Sequence, residues 1–240
     1  MPIAIATSPY AHVVGDLAAW AVAFLTARSA WHQRLSRVDR LAGVAGPSYF
    51  VTLALGAAAG AWGFGSLNSL AGPVPTLSHS IAGALAGGII AVELWKWRHG
   101  VIQSTGGPFV LPLALGIAIG RWGCLFTGLP DQTYGSPTGL PWAVDLGDGI
   151  GRHPVQIYES LAMALFALVY AVALQHGARW ARTSAFHWLI IVYAAQRFCW
   201  EFLKPYPPVV GPFNLFHLLC MGMITYGCVW ISRARRSATQ

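Results

Sequence analysis

The chain alternates long apolar stretches with short polar ones, and the apolar stretches have helical length. A transmembrane helix needs about 20 mostly apolar residues. Seven segments approach that: Ala11–Ala27, Ala42–Gly65, Leu77–Trp95, Pro108–Thr127, Gln156–Leu174, Ala185–Leu203 and Phe213–Ser232. The first is the shortest and carries His12 and Asp16, which makes it the weakest of the set. Gly56-x-x-x-Gly60 and Gly83-x-x-x-Gly87 put small residues one turn apart, a pattern that lets helix backbones approach in lipid. No internal repeat stands out. The pattern predicts an all-α fold, a polytopic membrane helical bundle of about seven transmembrane helices forming a single transmembrane domain over residues 1–240.

Composition agrees. Charged residues make up 10% of the 240, and mean hydropathy is +0.54; a soluble domain carries about 25% charged residues. So few charges cannot coat a water-facing surface, and lipid must face most of it. The net charge of +7 does not point to nucleic acid, because no basic stripe is interleaved with aromatics. The basic residues instead cluster between apolar runs, where they set membrane orientation. Arg28, Arg34, Arg37 and Arg40 fall in the first connection, Lys96 and Arg98 in the third, Arg179 and Arg182 in the fifth, and Arg233, Arg235 and Arg236 in the tail. The opposite side receives Arg152 and Lys204. The N-terminus is therefore expected outside and the C-terminus in the cytoplasm. The fourth connection, about 128–155, faces out; it is long and rich in Gly, Pro and Asp, and is expected to be ordered and functional.

The four cysteines, Cys124, Cys199, Cys220 and Cys228, have neither metal-ligand nor disulfide-framework spacing, so no metal or cofactor is expected.

An ionisable side chain within a span costs about 2.5–3.5 kcal/mol at its centre, so its presence asks for a reason. Five stand out: Glu93, Arg121, Glu159, Arg197 and Glu201. Arg121 and Arg197 each lie about six residues before the outer end of a span, or roughly 9 Å deep at 1.5 Å per residue. Glu201 follows Arg197 by four residues, on the same helix face. Glu159 starts the next span at the same level, one turn after Gln156. Arg121 has no acidic neighbour within a helical turn, and two arginines short of local carboxylate suggest an anionic ligand, since guanidinium binds phosphate bidentately. In the outer leaflet that anion is a phospholipid head group. A structural Arg197–Glu201 pair and a snorkelling Arg121 are the bland alternatives. Glu93, beside Lys96 and Arg98, reads as a structural ion pair. His153 is the leading proton acceptor, with His79 as another candidate; a turn or capping role competes for each. His217 reads as packing, and Tyr134 and Tyr158 suit the interface.

Several motifs then occur in order: Gly120-Arg121-Trp122-Gly123, Tyr134-Gly135-Ser136-Pro137-Thr138, Leu140-Pro141-Trp142, Arg152-His153-Pro154-Val155-Gln156-Ile157-Tyr158-Glu159 and Arg197-Phe198-Cys199-Trp200-Glu201-Phe202. This series resembles the signature of the prolipoprotein diacylglyceryl transferases across about Gly116–Phe202, with weaker agreement in all seven spans. The resemblance implies an enzyme of the bacterial inner membrane that moves diacylglyceryl from phosphatidylglycerol to a lipobox cysteine thiol of a prolipoprotein, releasing glycerol phosphate. It implies Arg121, Arg197 and Glu201 as catalytic residues; His153 joins them as the expected base on its own chemistry, and Tyr134, Gly135, Gln156, Tyr158 and Glu159 are expected around the substrate. Phosphatidylglycerol and a membrane-tethered prolipoprotein are the implied partners; the acceptor and the oligomeric state stay open.

The departures are specific. The family's Asn after G-R-x-G is Cys124 here, and about two extra residues precede Tyr134-Gly135. Ala82 occupies the position of a functional His in the third span, and the first span lacks a His-Trp-Tyr-Gly stretch. A divergent transferase, a non-catalytic lipid-binding or partner-stabilising membrane protein, and a transporter are the competing readings. The lack of an evident repeat and of broken midplane helices counts against the last.

Overall fold

The computed structural model describes residues 2–32, 46–70 and 77–236. The start of the second apolar segment at Ala42 and the basic residues Arg34, Arg37 and Arg40 lie outside the described residues. In chain order the elements are strand β1 (Ile3–Ala4), helices α1 (Ala11–His32), α2 (Gly46–Leu70) and α3 (Ile81–Arg98), a 3-10 turn at Gly107–Phe109, and α4 (Val110–Thr127). A second 3-10 turn (Leu129–Asp131) follows, then strands β2 (Val144–Asp145) and β3 (Gly151–Arg152). The chain ends with α5 (Val155–Gln175), α6 (Arg179–Thr183), α7 (Ala185–Glu201) and α8 (Leu215–Arg236).

Each of the seven apolar segments overlaps a helix within the described residues. Among the described residues, four helical stretches, Gly46–Leu70, Gly107–Thr127, Val155–Gln175 and Leu215–Ala234, are long and apolar enough to cross a membrane. Their many lipid-type side chains face outward, among them Leu55, Leu161, Leu165 and Leu168. The protein is thus a helical membrane protein, with one departure from purely helical expectation. Three two-residue strands form a small sheet in which β1 runs parallel to β2 and β2 antiparallel to β3. Backbone hydrogen bonds drive this pairing, which apolar periodicity does not register.

The chain forms two compact units, one from residues 1–36 and 106–205 and the other from 37–105 and 206–240. In the second unit, α2 packs on α3 through the two small-residue motifs. A Cβ on Gly60 would lie 2.8 Å from the Gly87 Cα, and one on Gly56 2.7 Å from the Gly87 carbonyl oxygen, so only glycine permits this approach. Glu93 accepts hydrogen bonds from Lys96 Nζ at 3.0 and 3.1 Å and from the Tyr226 hydroxyl at 2.9 Å, which makes it the expected structural ion pair. Asn214 and His217 cap α8 reciprocally: the His217 amide donates to Asn214 Oδ1, and the Asn214 amide to His217 Nδ1, each at 3.1 Å.

The first unit holds α1, α4, α5, α6, α7 and the small sheet. Gly15 of α1 and Gly123 of α4 meet closely, a Gly123 Cβ falling 2.9 Å from the Gly15 Cα. The loop between α4 and α5 folds on itself. Asp145 Oδ1 accepts the amides of Gly147, Asp148 and Gly149 at 2.9, 3.1 and 2.9 Å, and Gly147 and Gly149 supply positive φ at 105° and 78°. Arg152 then clamps Asp148 with two bonds of 2.6 and 2.7 Å. The N-terminal segment lies on this loop through Ile3 N–Ala143 O at 2.7 Å and Ile5 N–Asp145 O at 3.0 Å.

Candidate functional site

The last turns of α4 carry Gly120-Arg121-Trp122-Gly123 against two neighbours. On one side Gly123 admits α1. On the other, the Trp122 indole donates to Ser160 Oγ at 3.0 Å, and Ser160 donates onward to the Ala118 carbonyl at 2.7 Å. These bonds tie α4 to α5 where Arg121 and Glu159 face each other. Arg197 and Glu201 come from the last turn of α7, with Lys204 just beyond its end.

Five buried charges meet here. Arg121 Nε pairs with Glu159 Oε2. Arg197 reaches Glu159 Oε1 at 3.7 Å and Glu201 Oε2 at 3.4 Å. Lys204 Nζ lies 2.6 Å from Glu159 Oε1 and 3.8 Å from Glu201 Oε2. No side chain in the set is more than 4% exposed. Two sequence expectations change. Arg121 does have a carboxylate partner; it comes from another helix, where sequence spacing cannot reveal it. Lys204, read as an orienting loop charge, is buried in the cluster. Three cations against two carboxylates leave one positive charge in excess, so the site still suits an anion. Burial, with Arg197 alongside, holds the Lys204 ammonium below its ordinary range against the pull of Glu159 and Glu201.

The other expected site residues form a second group. His153 Nδ1 is 3.4 Å from the Tyr158 hydroxyl, which accepts a 2.8 Å bond from the Trp142 indole. The Tyr158 ring packs on Trp200 with centroids 5.0 Å apart. Gly135 lies against His153, and a Cβ there would stand 2.8 Å from the His153 Cβ. Ser136 then bridges the His153 amide, at 3.1 Å, and the Leu203 carbonyl, at 2.6 Å. The loop is thereby fastened to the end of α7. Tyr134 packs against Leu125, Val144 and Leu146, with Arg152 over its ring at 5.2 Å. His79 belongs to the other unit, its ring packed near Trp62.

A third cluster escaped the sequence reading. His12 Nδ1 lies 3.0 Å from Asp16 Oδ2, and His12 Nε2 lies 3.2 Å from Asp131 Oδ1. Thr133 donates to the other Asp131 oxygen and receives a 3.5 Å bond from Gln156. Arg121 donates to Cys124 Sγ at 3.6 Å, linking this cluster to the ion pairs. Burial alone would raise the Asp131 carboxyl, but the hydrogen bonds from His12 and Thr133 outweigh it and hold it below the ordinary range. The only sequence signal was the presence of His12 and Asp16 in an otherwise apolar first segment.

A profile of the prolipoprotein diacylglyceryl transferase family matches residues 74–233, which include all five members of the ion cluster. The chain belongs to this family. Three relatives are named phosphatidylglycerol–prolipoprotein diacylglyceryl transferase. The one from Gloeobacter violaceus is 33% identical over 67% of this chain and 63% of its own length. The one from Finegoldia magna is 33% identical over 50% and 47%, and that from Bordetella parapertussis 33% over 60% and 53%. The chain thus spans about half to just under two thirds of the length of these three relatives. No solved structure matches it significantly. Within this diacylglyceryl transferase family member, Cys124 directly follows the arginine motif, 3.6 Å from Arg121 and with its sulfur within 4.8 Å of a His12 ring nitrogen. Ala82 is fully buried in α3.

Proposed function

We propose that this protein transfers diacylglyceryl from phosphatidylglycerol to a prolipoprotein cysteine thiol and releases glycerol phosphate. The observation that carries this reading is the buried cluster of Arg121, Arg197 and Lys204 with Glu159 and Glu201, which has one cation in excess. Arg121 and Arg197 hold the lipid phosphate. Glu159 and Glu201 keep the guanidinium groups oriented before lipid arrives, so little reorganisation remains at the moment of reaction. His153 takes the acceptor thiol proton, since a thiol with a reference pKa of about 8.5 is mostly protonated near neutrality. The thiolate sulfur then attacks the phosphate-bearing carbon of the diacylglycerol moiety, and glycerol phosphate is the leaving group. The C–S bond forms as the C–O bond breaks, and the electron pair leaves with the phosphate, whose charge the cations neutralise. Tyr134, Gly135, Gln156 and Tyr158 shape the substrate side of the site.

The membrane arrangement in this reading has seven spans, the N-terminus outside and the C-terminus in the cytoplasm of a bacterial inner membrane. The ion cluster then lies in the outer half, within reach of outer-leaflet lipid and a tethered acceptor. A second reading, non-catalytic head-group binding, draws on Ala82, which cannot exchange a proton. Purified protein in lipid nanodiscs, given phosphatidylglycerol and a lipobox peptide, separates the two by mass spectrometry. Thioether-linked peptide supports transfer, whereas retained phospholipid with unmodified peptide supports the second reading.

A further inference from the structure

His12 comes from the first turn of α1, and Cys124 and Asp131 from the last turn of α4 and the 3-10 turn just beyond it. Their ligand atoms, an imidazole nitrogen, a thiol sulfur and a carboxylate oxygen, all lie within 4.8 Å of one another. Two ligand atoms on a tetrahedral ion with bonds of about 2.0–2.1 Å stand about 3.3 Å apart. His12 Nε2 and Asp131 Oδ1 are separated by 3.2 Å.

We propose that these three side chains form a binding site for a divalent metal ion of the zinc class. The groups around them are those a metal site uses. Asp16 engages the other imidazole nitrogen at 3.0 Å, which fixes the ring and turns Nε2 toward the shared space, the role that an outer carboxylate plays for ligating histidines. Thr133 occupies Asp131 Oδ2 and leaves Oδ1 for the ion. Arg121 donates to Cys124 Sγ at 3.6 Å, which orients the sulfur. Thiolate and carboxylate together neutralise a divalent ion. Cys124 is buried and the Asp131 side chain is 7% exposed, while that of His12 retains 24% exposure, which gives an ion a way in and leaves a fourth position for water. The close approach of Gly15 and Gly123 brings the ligands together. A metal here staples α1 to the end of α4 and, through Cys124, fixes the turn that carries Arg121. The site stands independently of the reaction the ion cluster serves.

The test uses the untagged full chain in detergent, stripped with a chelator and titrated with cobalt(II), which reports thiolate ligation and geometry in its absorption spectrum. The expected result is one equivalent bound, with a thiolate-to-metal charge-transfer band and ligand-field bands of tetrahedral intensity. Cys124→Ser, a nearly isosteric change whose folding is checked by circular dichroism and size exclusion, abolishes the charge-transfer band. Asp16→Asn weakens binding by about 10–100-fold without abolishing the band. Exposed Cys199 and Cys228 are controls, and replacing both with Ser leaves the spectrum unchanged. The proposal is overturned by absence of stoichiometric binding, or by a band that survives Cys124→Ser and is lost with Cys199 and Cys228.

Discussion

Arg121 and Glu159 form a buried ion pair between α4 and α5, beside the bond that joins Trp122 to Ser160. Glu159 also accepts Lys204 and approaches Arg197, so one carboxylate organises three cations. The pair fixes the orientation of a guanidinium whose role in the proposed reaction is to hold phosphate.

Arg121 therefore carries separable structural and functional roles. Arg121→Lys keeps a positive charge opposite Glu159 and is expected to unfold near the parent's temperature, yet to lose transferase activity almost as fully as Arg121→Ala. Lysine lacks the planar fork that grips phosphate. Arg121→Ala loses stability as well. Product formation and thermal unfolding, measured on the same preparations, check both halves.

Glu159→Gln leaves three buried cations facing Glu201 alone. Breaking a buried pair costs about 3–5 kcal/mol because the remaining charge is uncompensated. Adding Lys204→Met restores the original excess of one positive charge and is expected to recover part of the loss. Unfolding in detergent, followed by circular dichroism, reads this out; a double variant less stable than Glu159→Gln contradicts the arrangement.

The small-residue contact of α2 and α3 makes a sharper contrast. Gly60→Leu puts a side chain where a Cβ already meets backbone and is expected to abolish folded yield. Gly63→Ala points into open space and is expected to be neutral or to stabilise by up to about 1 kcal/mol through helix propensity. Fluorescence-detected size exclusion of the two variants decides.

Arg152 hydrogen-bonds Asp148 and holds its carboxyl below the ordinary range. A depressed carboxyl contributes order that is present above the unfolded value of about 3.9 and is lost as pH falls through the lower folded one. Protection of the 145–152 amides from hydrogen exchange, corrected for intrinsic rates, should hold down to about pH 4 and fall as pH drops further. The fall should be smaller in Asp148→Asn, a comparison that isolates this pair from neighbouring Asp145.

The helices were legible because each apolar run is long enough to report itself, and the meeting of Gly56-x-x-x-Gly60 with Gly83-x-x-x-Gly87 followed from residue size. Arg197 and Glu201 were legible because four residues span one helical turn. The partner of Arg121 was not, since it depends on which helices pack together. Lys204 looked like a loop charge because its partner Glu159 lies on another helix, out of reach of sequence spacing. The small sheet rests on backbone pairing in a Gly- and Asp-rich loop, which leaves no hydrophobic pattern to read. His12 was visible only as an anomaly in an apolar helix, because Cys124 and Asp131 reach it through tertiary packing.

The central claim is that the buried cluster serves transfer. Its most direct measurement quantifies both products in one reaction of the purified protein with phosphatidylglycerol and a lipobox peptide. The account predicts one glycerol phosphate released per thioether formed, with both falling together by about 100-fold or more in His153→Ala, the scale for loss of a general base. Phosphatidylglycerol held by the protein, with neither product formed from any lipobox peptide, would contradict it.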